Sequence, residues 1–222
     1  MSIAIAIDGP AGAGKSTISK AAAKQLGFIY IDTGALYRTV GLAATRRGVE
    51  PSEGKELDDM LSSISVELTF NEKGEQVVLL DGEDVSGSIR TPEASMMASK
   101  ISAVPAVRAY LLDLQRDMAK TNNVIMDGRD IGTVVLPNAE IKIFLTAAPE
   151  ARAERRYKEL IEKGMDVKYE DVLDDVKTRD YNDMNRDIAP LKQADDAVLA
   201  DTTELDLQGS IDLIVSIIKE RS

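Results

Sequence analysis

The eight residues Gly9-Pro10-Ala11-Gly12-Ala13-Gly14-Lys15-Ser16 constrain this chain more than any other feature. They complete the pattern G-x-x-x-x-G-K-[ST], and Thr17 adds a second hydroxyl. Glycines let the backbone curl until several N–H groups face one point, and a helix starting there adds its positive end. In this pattern the lysine reaches the β- and γ-phosphates of a nucleoside triphosphate, and the serine hydroxyl binds Mg²⁺. At average residue frequencies a chain of this length meets the pattern by accident about once in a hundred. The flanks reduce that chance further. Ser2 to Ile7 is short, rich in isoleucine and ended by Asp8-Gly9, which predicts a buried strand. Ser16 to Leu26 predicts a helix that stops at Gly27.

The loop implies triphosphate binding but not a reaction, since GTPases, motor ATPases and small-molecule kinases share it. No N-K-x-D guanine motif follows a later strand. At 222 residues the chain is short for an oligomeric motor, yet long enough to bury roughly 70% of its unfolded surface. Hydrophobic residues at 44% and charged residues at 29% read as globular and soluble. No run of about 18 apolar residues predicts a membrane span. The start, MSIAIAIDGP, has neither a basic region nor a cleavage site, so a strand is expected there and not a signal peptide. Cysteine is absent, which excludes disulfides and thiolate metal sites. A cytoplasmic protein is expected. Histidine is absent too, so no histidine base, triad or metal ligand exists. The formal charge of −11 argues against non-specific nucleic-acid binding. It leaves room for an anionic small substrate held by local arginines and backbone amides.

Along the chain, short apolar runs at 28–31, 124–126, 141–145 and 197–200 alternate with helical stretches at 36–47, 53–64, 149–163, 170–185 and 207–219. Two more helical stretches lie either side of Pro105. This alternation predicts a parallel five-stranded sheet covered on both faces, the three-layer α/β sandwich. Residues 66–88 break the pattern. Val66, Leu68 and Phe70 alternate with polar residues, Asn71 to Gly74 is a turn, and 75–80 is a second strand ended by Asp81-Gly82. A small antiparallel insertion is expected there, with Glu72 and Glu75 as solubilising charges.

Two segments follow predicted strands, where ligands bind in open α/β sheets. They are Asp32-Thr33-Gly34-Ala35-Leu36-Tyr37-Arg38 and Asp127-Gly128-Arg129-Asp130. Arg38 and Arg129 suit bidentate contact with a second phosphate. Asp127 suits a Mg²⁺-water ligand or a loop organiser. The run Asp171, Asp174, Asp175 fits an exposed helix face near the N-terminal dipole, not a metal site.

IDGPAGAGKST, DTGALYR, DGEDVSGSIRT, DGRDIGTVVLPNAEIKIFL, RDYNDMNRDIAPL and ADTT together resemble the bacterial cytidylate kinases, from residue 7 to residue 203. The insertion resembles the extra β element of that family. The resemblance implies one kinase domain over 1–222, with a nucleoside-monophosphate region at about 33–105 and a short helical lid at about 148–165. It implies γ-phosphoryl transfer from ATP, with Mg²⁺, to CMP and dCMP. Arg38, with Thr33 and Tyr37 nearby, would hold the monophosphate. Arg129 would bind phosphate and Asp130 would read the cytosine amino group, with Ser99 and Arg108 at the other base-reading positions. Arg179 and Asp183 would hold the ribose, four apart on one helix face. Arg186 would bridge the transferring phosphate, so Lys15, Arg129 and Arg186 are the expected catalytic set. In the lid, Arg155 and Arg156 would close on the donor phosphates, while Arg152 reads as a solvated charge. A monomer without nucleic-acid or membrane partners is expected. Another small-molecule kinase, or a nucleotide switch that transfers nothing, are the competing readings.

Overall fold

Alternating isoleucine and alanine make β1 (Ala4–Asp8) a strand with no exposed face: Ile5, Ala6 and Ile7 are completely buried in the computed structural model, which describes residues 2–72 and 74–221. β1 is the centre of a five-stranded parallel sheet ordered β2 (Ile29–Asp32), β6 (Val124–Gly128), β1, β7 (Ile141–Thr146), β8 (Val198–Asp201). Its neighbours are in register, Ile7 opposite both Asp127 and Ile143. The chain leaves β1 for β2 on one side and later builds β7 and β8 on the other. The order therefore reverses at β1, and the crevice beyond its C-terminal end is where such sheets take ligands.

The chain divides into two compact units, one of residues 3–30 and 123 onward, the other of residues 31–122. In the first, α1 (Lys15–Leu26) and α8 (Leu207–Arg221) pack on each other. Ile18, Ala22, Ile214 and Ile218 join Ile5, Ile7, Ile143 and Leu145 in one apolar cluster. Each fully buried isoleucine contributes about 1.5–3 kcal/mol to holding this unit closed. Helices α6 (Pro149–Glu162) and α7 (Tyr169–Asn185) pack on each other through a satellite cluster of Ala153, Leu160, Val172 and Val176.

In the second unit, α2 (Thr33–Arg47) packs against α4 (Pro92–Ile101), with α3 (Lys55–Ser63) and α5 (Pro105–Lys120) completing its core. Thr91 caps α4 by accepting from the Ala94 amide, and Pro92 and Pro105 each open a helix where no N–H is needed. The insertion is antiparallel as expected, β3 (Val66–Phe70) pairing β4 (Gln76–Leu80) from Val66–Leu80 to Phe70–Gln76. A third strand, β5 (Glu83–Asp84), follows through Asp81-Gly82 and was not expected. Two polar residues carry no apolar alternation by which to announce a strand. Of the turn at 71–74, Lys73 lies outside the described residues.

Gly9 is required by a close approach. Its φ is 153°, and a Cβ built there would lie 1.9 Å from the Leu145 carbonyl oxygen of β7. We predict that Gly9→Ala lowers stability by about 3 kcal/mol or more. Thermal unfolding measures this, and an unchanged midpoint would contradict it.

Candidate active site

The phosphate loop turns through Gly12 and Gly14, both left-handed, and delivers Lys15 as the first residue of α1. Lys15 is buried, and its Nζ donates to the Pro10 carbonyl at 2.8 Å, across the loop. Burial lowers the Lys15 pKa most and the Arg129 charge adds to this. Asp127, Asp183 and Asp8 oppose them, and the balance sits at about 7. Ser16 and Thr17 lie exposed on the first turn of α1.

Asp8 is the last residue of β1 and directly precedes the loop. Both of its carboxylate oxygens are spent on main chain: Oδ1 accepts from Ile131 N–H and Oδ2 from Gly132 N–H, each at 2.7 Å. These amides begin a single π-turn (Ile131–Val135) that follows Asp127-Gly128-Arg129-Asp130. Burial raises Asp8 to about 6, against the pull of those two hydrogen bonds. Sequence reasoning saw this aspartate only as the end of a strand. The carboxylate at the end of an apolar strand, where burial penalises it, was the available signal.

Around Lys15 the first unit gathers Asp127, Arg129 and Asp183 of the expected residues. Asp127 is buried at the end of β6, and Tyr30 donates to it at 3.3 Å. Arg129 Nε donates to Asp183 Oδ2 at 2.7 Å, and Nη1 to the Gly128 carbonyl at 3.3 Å. Asp183 sits four residues after Arg179 on α7, as the spacing predicts. Burial alone would raise its pKa, but Arg129 first, then Arg179 and Arg186, hold it below the usual carboxylate range. Arg186 ends α7, gives Nε to the Ala189 carbonyl at 2.7 Å and pairs through Nη2 with Asp130 at 3.3 Å. Asp130 is therefore not a free acceptor; an arginine already holds it.

One arginine of α6 departs from expectation. Arg152, read as solvated from its charged neighbours, is only 2% exposed. It donates to the carbonyls of Ala147 and Ala11, the latter inside the phosphate loop, and forms a two-pronged pair with Asp180 of α7. Five N–H groups in a fixed fork let it join three chain segments at once. Arg155 gives Nη2 to the carbonyls of Thr202 and Leu205, in the turn after β8. Arg156 pairs with Glu159 at the surface. Asp171, Asp174 and Asp175 lie exposed, and among the described residues no group of three ligating side chains could hold a metal.

In the second unit Thr33 opens α2 and is buried, after Asp32 as N-cap. Asp32 Oδ2 holds Arg38 Nη2 at 2.7 Å. The Arg108 guanidinium lies 5.7 Å from the centre of the Tyr37 ring and donates to the Ser102 carbonyl just past α4. Ser99, on the last turns of α4, is half-buried, and its carbonyl accepts from the Ser102 hydroxyl.

A central strand leading into a phosphate loop, with a buried lysine among carboxylate-held arginines, is the build of a phosphate-loop protein that takes a nucleoside triphosphate. The cytidylate kinase family model matches residues 5–220. The cytidylate kinase of Caldicellulosiruptor bescii is 52% identical over 98% of this chain and 97% of its own. That of Exiguobacterium sp. is 48% identical over 99% and 97%. An uncharacterised protein from Eubacterium ventriosum shares the fold at 14% identity, with a TM-score of 0.53 over 99% of both chains. This chain belongs to the cytidylate kinase family.

Asp8 gives a pH signature. Between its unfolded value of 3.8 and its folded value of about 6, the folded state keeps a proton that the unfolded chain releases. That stabilisation is complete below 3.8 and lost as pH rises through 6. It is worth roughly 3 kcal/mol in total. Denaturant midpoints at pH 4 and 7 should therefore fall more steeply for the native protein than for Asp8→Asn; equal slopes would contradict the assignment.

Proposed function

We propose that this chain transfers the γ-phosphoryl group of ATP to CMP, and to dCMP, giving CDP or dCDP and ADP, within pyrimidine nucleotide metabolism. The observation that carries the mechanism is the buried charge network in which Lys15 shares its surroundings with Arg129, Asp127 and Asp183. Gly9 to Thr17 take the donor phosphates, with Lys15 on the β- and γ-oxygens. Arg155 and Arg156 belong to the donor side. Arg38 and Arg129 take the acceptor phosphate, beside Thr33 and Tyr37. Asp130, Ser99 and Arg108 read the base, and Arg179 and Asp183 the sugar.

An acceptor phosphate has a second pKa of about 6 and is mostly dianionic at neutral pH. It attacks the γ-phosphorus as the bond to the β–γ bridging oxygen breaks, and ADP carries that oxygen away. No general base is needed, which agrees with a chain that has no histidine. The protein's task is alignment and neutralisation of two polyanions, and Arg186 with Lys15 supplies positive charge to the moving group. An arginine in that role contributes about 10³–10⁵ in rate. The oxygen donors here fit Mg²⁺. The Ser16 hydroxyl is exposed on α1, the Asp127 carboxylate is buried nearby in charge terms, and Mg²⁺ held through phosphates needs only one or two protein oxygens. Held by Ser16 and Asp127, Mg²⁺ would neutralise charge on the phosphates of the nucleotide. No described helix is long and apolar enough to cross a membrane. We read the enzyme as a cytoplasmic monomer acting on free nucleotides, without nucleic-acid partners.

A coupled ADP-release assay with CMP, dCMP, UMP, AMP or no acceptor tests the proposal. Release that requires CMP or dCMP is expected; acceptor-independent hydrolysis would favour a nucleotide switch. Lys15→Ala should lower turnover by about 10³-fold or more while the fold survives. Near-normal kcat would remove Lys15 from the mechanism. Asp130→Ala should raise KM for CMP far more than KM for ATP, by about tenfold against about twofold. Equal loss for both substrates would count against base reading.

A further inference from the structure

The insertion reaches the start of α2 through one side chain. Gln76, the first residue of β4, accepts from Asp32 N–H with Oε1 at 2.8 Å and donates from Nε2 to the Asp32 carbonyl at 3.2 Å. Both polar ends of the amide are spent on the main chain of one residue, as a neighbouring strand would spend its backbone. The residue gripped in this way has two tasks. Asp32 Oδ1 accepts from Ala35 N–H at 3.0 Å and so caps α2, while Oδ2 holds Arg38 Nη2 at 2.7 Å. The space is tight: a Cβ on Gly34 would lie 3.1 Å from both Arg38 Nη1 and Asp32 Oδ1.

The Arg38 fork is not fully used by this arrangement. Its Nε is buried and has no hydrogen-bond partner among the described residues. A buried N–H without an acceptor is destabilising, and an incoming oxyanion removes that penalty. The insertion also grips the far end of α2. Arg46 makes a two-pronged pair with Glu83 of β5 at 2.7 and 2.9 Å, and Arg47 pairs with Asp81 at 3.4 Å. The small sheet thus braces both ends of the helix that carries Arg38.

We propose that Gln76 is a positioning residue for the acceptor phosphate: it fixes Asp32, and Asp32 sets the angle at which Arg38 meets that phosphate. This rests on the reading that Arg38 binds the acceptor phosphate. It gives the insertion a role in the reaction that its composition does not announce. Gln76 never touches the nucleotide; it acts through Asp32 and Arg38.

The test compares a ligand that carries the phosphate with one that lacks it. Gln76→Met keeps the length of the side chain and loses both hydrogen bonds. CMP binding measured by calorimetry should weaken about 5–20-fold, while cytidine binding and KM for ATP each change by less than about twofold. In the Arg38→Met background, Gln76→Met should add less than about twofold, because both act through one group. Equal weakening of CMP and cytidine, or full additivity with Arg38→Met, would overturn the proposal. If Arg38→Met weakens CMP and Gln76→Met does not, the inference alone fails. If Arg38→Met leaves CMP binding unchanged, the reading of Arg38 fails and takes the inference with it.

Discussion

Two hydrogen bonds, from the amides of Ile131 and Gly132 to the Asp8 carboxylate, tie the entry to the phosphate loop to the segment that carries Arg129 and Asp130. Asp8 ends β1 and leads into the phosphate loop; the amides it holds follow immediately on Arg129 and Asp130. The position of one segment is thereby referred to the other through a single side chain with no rotational slack. The cost is a buried carboxylate whose pKa is raised by desolvation. Both oxygens accept charge-assisted bonds from main chain, which makes that cost bearable at neutral pH.

The same economy recurs around four arginines of the chain. Arg129 leans on Asp183, Arg186 on Asp130, Arg152 on Asp180 and Arg38 on Asp32. A guanidinium with nothing to hold it would be mobile and would repel its cationic neighbours. A carboxylate partner fixes the fork of the guanidinium in one orientation. Removing one member of a buried pair, as Arg152–Asp180 and Arg186–Asp130 are, costs about 3–5 kcal/mol, since the other charge is left uncompensated. The pairs are therefore structural before any substrate arrives.

Much of this was legible in the residues. The phosphate loop, the five strands, the antiparallel insertion and the helix boundaries at Gly27 and Pro105 follow from periodicity, turn chemistry and caps. The spacing of Arg179 and Asp183 put both on one face of α7, where they are found. Arg152 was not legible. Its neighbours Glu150, Glu154 and Arg156 mark an exposed helix, and tertiary contacts with Asp180 and with the Ala11 and Ala147 carbonyls bury it. The partners of the arginines were equally hidden, because the carboxylates lie as far away as residue 183 is from residue 129. The π-turn at 131–135 carries no signature of its own; it exists because Asp8, far upstream, holds its first two amides. Gln76 reads as an ordinary strand residue until its side chain is seen on Asp32.

The claim that Asp8 sets the geometry of the loop carrying Arg129 and Asp130 is tested most directly by kcat/KM for CMP in Asp8→Asn. The replacement keeps the shape and one acceptor but turns the other oxygen into a donor facing an N–H. The account predicts a loss of about tenfold or more in kcat/KM for CMP, in a protein that still melts cooperatively. A variant that is folded and within about twofold of the native value would contradict it.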